Sequence, residues 1–206
     1  MKKLLLALLP LAGCVAPQRV TVAPAVAVVD AADSAPANNP LVAGTVMPTD
    51  RTIAAAVAAV PGFAILHRAI VAGSFGATLA AAGPMTLFAP TDEAFGRLAP
   101  GTVDALVQPE NRDSLGKLLR LHLVPGRLTS AALLRLIAAG GGRATLTTVG
   151  GELLTLSLTG AVVTLTDAGG NRSYVETADV RQTNGVLHVV NGVLVPRLDR
   201  APTPRP

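Results

Sequence analysis

The 206-residue sequence has one cysteine, no tryptophan, one tyrosine and four phenylalanines. A lone thiol excludes an intramolecular disulfide and a cysteine-pair metal knuckle, so the folded part must be held by packing. Zinc chemistry of the His-Glu-x-x-His type is excluded as well, because none of the three histidines has a partner four residues away. Aromatic residues are too few, and the arginines too dispersed, to build the stacking platform beside a basic groove on which single-stranded nucleic acid binds. The only long apolar run at the amino end, residues 4–11, falls well short of the roughly 20 residues that cross a bilayer.

That short run has a recognisable order around it. Lys2 and Lys3 precede it, and Leu11-Ala12-Gly13-Cys14 closes it, giving the charged, apolar and small-residue regions of a secretory signal. The last four residues resemble the lipobox of bacterial lipoproteins, in which the cysteine thiol is acylated and the bond before it is cut. Residues 1–13 are therefore expected to be a cleaved signal peptide and Cys14 a lipidated first residue. Removing Lys2 and Lys3 from the net charge of +4 leaves 15 basic against 13 acidic residues. Val15 rather than Asp follows Cys14, which by the sorting habit of Gram-negative lipoproteins favours the outer membrane, facing periplasm or cell exterior.

Residues 14–46 are rich in Ala, Val and Pro without a helical period, and read as a flexible tether. Residues 199–206, with Pro202, Pro204 and Pro206, read as an extended tail. Between them, residues 47–198 have the size of one domain.

Its first half is helical in pattern. Thr49 and Asp50 can cap a helix with Ile53, Val57 and Val60, and Pro61-Gly62 separates it from a second with Phe63, Leu66 and Ile70. Further helices are expected over residues 75–82, 92–98, 112–121 and 130–139, the last stopped by Gly140-Gly141-Gly142. One buried strand, residues 85–89, interrupts them. The second half alternates: Leu154, Leu156 and Leu158 against Thr155, Ser157 and Thr159, then a return over residues 162–166. Strands are also expected over 173–175, 179–182 and 186–190, with Gly169-Gly170 and Asn184-Gly185 as turns. Helices followed by strands argue an α+β domain.

Three segments resemble the fasciclin-domain family. The first is Thr86-Leu87-Phe88-Ala89-Pro90-Thr91-Asp92-Glu93-Ala94-Phe95. The central one is Leu118-Leu119-Arg120-Leu121-His122-Leu123-Val124-Pro125-Gly126, and the last runs from Thr183-Asn184-Gly185 through His188 and Asn191-Gly192 to Pro196. The resemblance implies a compact wedge: a small two-sheet β-sandwich with several helices packed at one side. It also implies an adhesion or interaction module binding protein or polysaccharide, without a cofactor and not an enzyme; a carrier of an apolar ligand such as a carotenoid is the alternative. Leu121 stands where the family has tyrosine before the histidine, so the receptor attachment of animal relatives is not carried over.

The motif residues have physical roles of their own. Asp92 and Glu93 sit in a first helical turn, where carboxylates meet unpaired N–H groups. His122 lies at an apolar helix end, so its ring should be buried and needs a partner, expected to be Asp92 or Thr91. His188 interrupts an apolar strand, and is expected on the wetter face or bonded to a neighbouring loop. His67, beside Arg68, reads as solvated. Asp167-Ala168-Gly169-Gly170-Asn171 has a faint look of a calcium loop, but Ala178 occupies the position that needs a bidentate Glu, so a plain turn is expected. Ser74 lacks the strand and first glycine of a nucleophile elbow.

Overall fold

A computed structural model describes residues 40–81 and 83–196. The signal peptide, Cys14, the tail and most of the tether lie outside the described residues.

The described residues open with a hairpin of β1, Leu41–Val42, and β2, Thr45–Val46. These residues belong to the fold rather than to the tether ending at 46 that composition suggests. Val42 is inserted into the main core, and the Met47 N–H closes on the Pro40 carbonyl at 3.0 Å. Helix α1, Ile53–Ala59, starts at Thr52, whose hydroxyl accepts the Ala55 N–H, so the cap stands two to three residues later than Thr49 and Asp50. A 3-10 turn over Pro61–Phe63 leads into α2, Ala64–Ala72, and α3, Gly76–Ala80, follows.

Strand β3, Met85–Pro90, then crosses the molecule, and Thr91 caps α4, Asp92–Gly96. Next come α5, Thr102–Leu106, and α6, Arg112–Leu121, followed by the short β4, Leu123–Pro125. Helix α7, Ser130–Ala139, precedes the run of strands β5, Arg143–Thr147; β6, Leu153–Thr159; β7, Val162–Thr166; β8, Arg172–Gln182; and β9, Gly185–Val190.

Apart from the β1–β2 hairpin, the strands follow one hydrogen-bonded order, β4-β3-β9-β8-β7-β6-β5, which divides at β8 into two small sheets. The first residues of β8 pair with β7; its remainder pairs with β9 across two register shifts between Val175 and Val180. The bend falls where the sequence pattern suggests a gap between two strands, because a bulge breaks alternation without ending the strand. The far edges approach each other too, since Val149 donates its N–H to Leu123 O at 2.8 Å. The architecture is the expected α+β wedge-like sandwich.

β3 and its parallel neighbour β9 form the wall between two cores, which is why both are buried nearly throughout and read as continuous apolar runs. Leu87, Ala89, Leu187 and Val189 face the helices, meeting Ile53, Phe63 and Leu66 among others. Phe88 and Val190 face the other way, into a core with Leu133 and Ile137 of α7 and Leu146, Leu154, Leu156 and Leu165 of the second sheet. Helix α7 therefore plugs the sandwich, while α1–α4 and α6 form the layer at one side.

Gly185 fixes the wall. A Cβ there would lie 1.9 Å from Met85 O, the carbonyl of the paired strand. Only a residue without a side chain allows β9 to start beside β3 at this register.

Candidate functional site

The three motif segments meet around the β3–β9 wall, where their polar side chains fasten backbone to backbone. The Thr86 hydroxyl donates to Gly126 O at 2.7 Å and accepts the Leu128 N–H at 2.9 Å. It thereby ties the first segment to the turn after β4, where Gly126 takes φ +94° and its N–H reaches Pro84 O. Phe88, Ala89, Pro90, Ala94 and Phe95 are buried, Thr91 caps its own helix through the Ala94 N–H, and Pro125 is exposed. Pro196 is buried at the last described position.

Asp92 does not serve its own helix. Its two carboxylate oxygens accept the N–H groups of Ala64, at 3.2 Å, and Ile65, at 2.8 Å, at the start of α2. These are donors that a helix leaves without internal partners, so the carboxylate of α4 caps the neighbouring helix instead.

His122 is bonded neither to Asp92 nor to Thr91. Its Nδ1–H donates to Leu118 O at 2.9 Å, and its Nε2 accepts the Leu194 N–H at 3.0 Å. A ring with one carbonyl and one N–H as partners is neutral, with the proton on Nδ1. Burial pushes its pKa from 6.5 down to about 4, against opposing contributions from the Leu118 carbonyl and from Asp167.

His188 carries the opposite tautomer. Nε2–H donates to Leu128 O at 2.7 Å, and Nδ1 accepts the Asp179 N–H at 3.3 Å. Of the two roles that its place in the strand suggests, it takes the bond to a neighbouring loop and not the wetter face, because the ring is fully buried and stacked on Phe88 with centroids 5.5 Å apart. Burial lowers its pKa as well, opposed by the Leu128 carbonyl and Asp179.

Asn184 has three partners. Its Oδ1 accepts the Ile53 N–H at 2.9 Å, while Nδ2 donates to Leu79 O at 2.7 Å and Ala81 O at 3.2 Å. One amide thus joins the start of α1 and the end of α3 to the β8–β9 turn, which is made by Thr183 and Asn184, with Gly185 already in β9.

Two aspartates complete the set and are not evident from the motifs. Asp179, at φ +61° within the β8 bulge, accepts the Ser130 N–H at 2.7 Å and the Ser130 hydroxyl, capping α7 from outside. Asp167 accepts from the backbone of Gly169, Asn171 and Val195 and from Asn171 Nδ2. Those four donors make it a turn clasp, not a cation loop. The only signal for either in the sequence is an acid at an interrupted strand or turn.

These groups have little chemistry left to offer. Both ring nitrogens of each buried histidine are engaged, and Asp92, Asp167 and Asp179 are directed at N–H and O–H donors of the chain. His67 is exposed. Among the described residues, no group of three or more His, Cys, Asp or Glu side chains is placed to hold a metal ion, and no single helix is long and apolar enough to cross a membrane.

Residues 61–196 match the fasciclin domain family model. The chain belongs to the fasciclin-domain family. It is 38% identical over 134 residues to Protein sll1483 of Synechocystis, an alignment covering 65% of this chain and 67% of that protein. A second Synechocystis protein, the uncharacterized sll1735, is 33% identical over 133 residues, covering 65% and 89%. Transforming growth factor-beta-induced protein ig-h3 of Sus scrofa is 33% identical over 134 residues; these are 65% of this chain and 18% of that much longer protein. Among solved structures, a fasciclin domain pair from the insect cell adhesion molecule fasciclin I superposes with a TM-score of 0.63 at 18% identity, covering 70% of this chain and 51% of the other. Fasciclin domains thus occur in cell adhesion proteins, and the fasciclin fold here is shared at low sequence identity.

Proposed function

We propose that this fasciclin-domain protein is a lipid-anchored interaction module of the cell envelope that binds protein or polysaccharide partners through its outer surface, without catalysis. The observation that carries this reading is the internal use of every buried polar motif residue: Thr86, His122, Asn184 and His188 bond to the chain's own backbone. Recognition then falls to the surface, and a cell adhesion molecule is among the proteins that share the fold. The anchor rests on Leu11-Ala12-Gly13-Cys14, and the outer-membrane position on Val15. A single domain binds weakly, and display on a membrane converts weak contacts into avidity.

Carriage of an apolar ligand such as a carotenoid has less support. The seam between sheet and helices, where a groove would open, is filled by Phe63, Leu66, Leu115 and Leu187, all at most 2% exposed.

Labelling of cells with radioactive palmitate, followed by capture of envelope components on the full-length protein, tests the reading. Label is expected in the wild type and absent from Cys14→Ser, and the captured material is expected to be protein or polysaccharide. Label entering both forms equally, or no retained envelope component, would overturn it.

A further inference from the structure

Strands β5, β6 and β7 each carry a hydroxyl-Leu-hydroxyl triplet with a buried leucine: Thr145-Leu146-Thr147, Thr155-Leu156-Ser157 and Thr164-Leu165-Thr166. The three leucines are buried in the sandwich core, so the hydroxyl residues stand on the opposite, outer face. Strand register aligns them. Thr145 pairs with Thr155, Thr155 with Thr166, and Thr166 with Arg172. The next row runs Arg143, Ser157, Thr164 and Tyr174. Neighbours within a row are about 4.8 Å apart, and the rows about 6.8 Å. Thr164 is itself buried and bonded to Thr159 at 2.8 Å, so it braces the array.

The two rows end in Arg143 on β5 and Arg172 on β8, both exposed, with about 15 Å between their strands. Neither arginine is in an ion pair among the described residues. Tyr174, the chain's one tyrosine, is half-buried in the second row. The acid nearest this face along β8 is Glu176, two residues past Tyr174 at the margin, so cationic charge prevails on it.

We propose that this outer face of β5–β8 docks an extended polysaccharide bearing carboxylates, which deepens the interaction-module reading and rests on it. Protein partners are held by desolvated apolar or aromatic anchors near the centre of a contact. Here the exposed apolar residues Leu153 and Val162 lie at the borders, and hydroxyls occupy the centre. A Thr or Ser hydroxyl both donates and accepts, as a sugar hydroxyl does. The ring of Tyr174 offers an apolar face with a polar tip, and an arginine fork matches a carboxylate in two-point geometry. Threonine is stiff at χ1, so little side-chain freedom is lost when a ligand that itself repeats settles along the rows.

Affinity electrophoresis of the full-length protein in native gels containing polygalacturonate or neutral dextran tests this. Polygalacturonate is expected to retard the wild type more than dextran does. The Arg143→Gln/Arg172→Gln double variant should weaken that retardation by about tenfold. Thr155→Val/Thr166→Val, which keeps shape, charge and strand propensity, should weaken it severalfold. Arg97→Gln/Lys117→Gln, the same charge change on the helical layer, should leave it intact; thermal melts check that each variant is folded. No retardation of the wild type, equal loss in the helical-layer variant, or full retention in either face variant would overturn the proposal. If envelope proteins are still captured by both face variants while polygalacturonate is not bound, the interaction module stands and only this surface assignment falls.

Discussion

His122 Nε2 accepts the backbone N–H of Leu194 at 3.0 Å, across 72 residues of sequence. The end of α6 is thereby bonded to the segment that follows β9, and the same ring holds Leu118 O within its own helix. The histidine of the central motif is a fastener between elements that approach only in the folded state.

Replacing it exposes that role. His122→Ala leaves the Leu194 N–H without its acceptor inside the protein and opens a void, and is expected to cost about 2 to 4 kcal/mol. A lower urea midpoint with an unchanged m-value would register the loss. An unchanged midpoint would show that the ring carries no part of the fold.

Acid should weaken the protein in a defined window. His122 is neutral when folded down to about pH 4, whereas the unfolded chain takes up the proton near pH 6.5. Below 6.5 the unfolded state therefore binds more protons, and stability falls as pH drops. At 1.36 kcal/mol per pKa unit, this ring alone accounts for about 3 kcal/mol by pH 4, where its contribution levels off. His188, also lowered by burial, adds in the same direction. Urea midpoints measured from pH 7.5 to 4.5 should decline in the wild type and decline less in His122→Gln.

Asn184→Asp should give the opposite pH slope. The new carboxylate would replace an amide N–H₂ that faces Leu79 O and Ala81 O, so its charged form is disfavoured and its pKa raised. Stability then falls as pH rises above the unfolded carboxylate value near 3.9, and the deficit at pH 7 is expected to be roughly 3 kcal/mol or more. Denaturation of wild type and variant at pH 5 and pH 7 should show the gap widening.

Two of the motif glycines, Gly185 and Gly126, should differ sharply. Gly185→Ala would place Cβ 1.9 Å from Met85 O, and is expected to abolish the folded product or lower Tm beyond any other single change here. Gly126 has open space around its Cβ position but a φ of +94°, so Gly126→Ala should cost only about 1 kcal/mol of backbone strain. Thermal melts of the two variants separate close approach from conformation.

The sequence discloses elements better than it discloses partners. Helices α6 and α7 occupy the residues that their apolar spacing and stops indicate, and the alternation of Leu154, Leu156 and Leu158 marks a strand whose buried face takes Leu154 and Leu156, while Leu158 near its end is exposed. The hairpin over 41–46 is hidden because its Ala and Val content matches the tether before it; what makes it structured is the docking of Val42, a tertiary event. His122 is legible as a buried ring in need of a partner, but its partner is a backbone N–H. Every residue except proline carries that donor, so no side-chain pattern points to Leu194. Asp92 shows the same limit: its first-turn position suggests its own helix, and only the packing of α2 against α4 turns the carboxylate toward Ala64 and Ile65.

The most direct measurement is the ¹⁵N–¹H long-range correlation of the two buried imidazoles in the folded protein at pH 7. His122 is expected to be neutral and protonated on Nδ1, His188 neutral and protonated on Nε2, with neither titrating near 6.5. Either ring titrating like a free histidine, or carrying the other tautomer, would contradict their role as internal fasteners and return the motif to candidacy for ligand binding or chemistry.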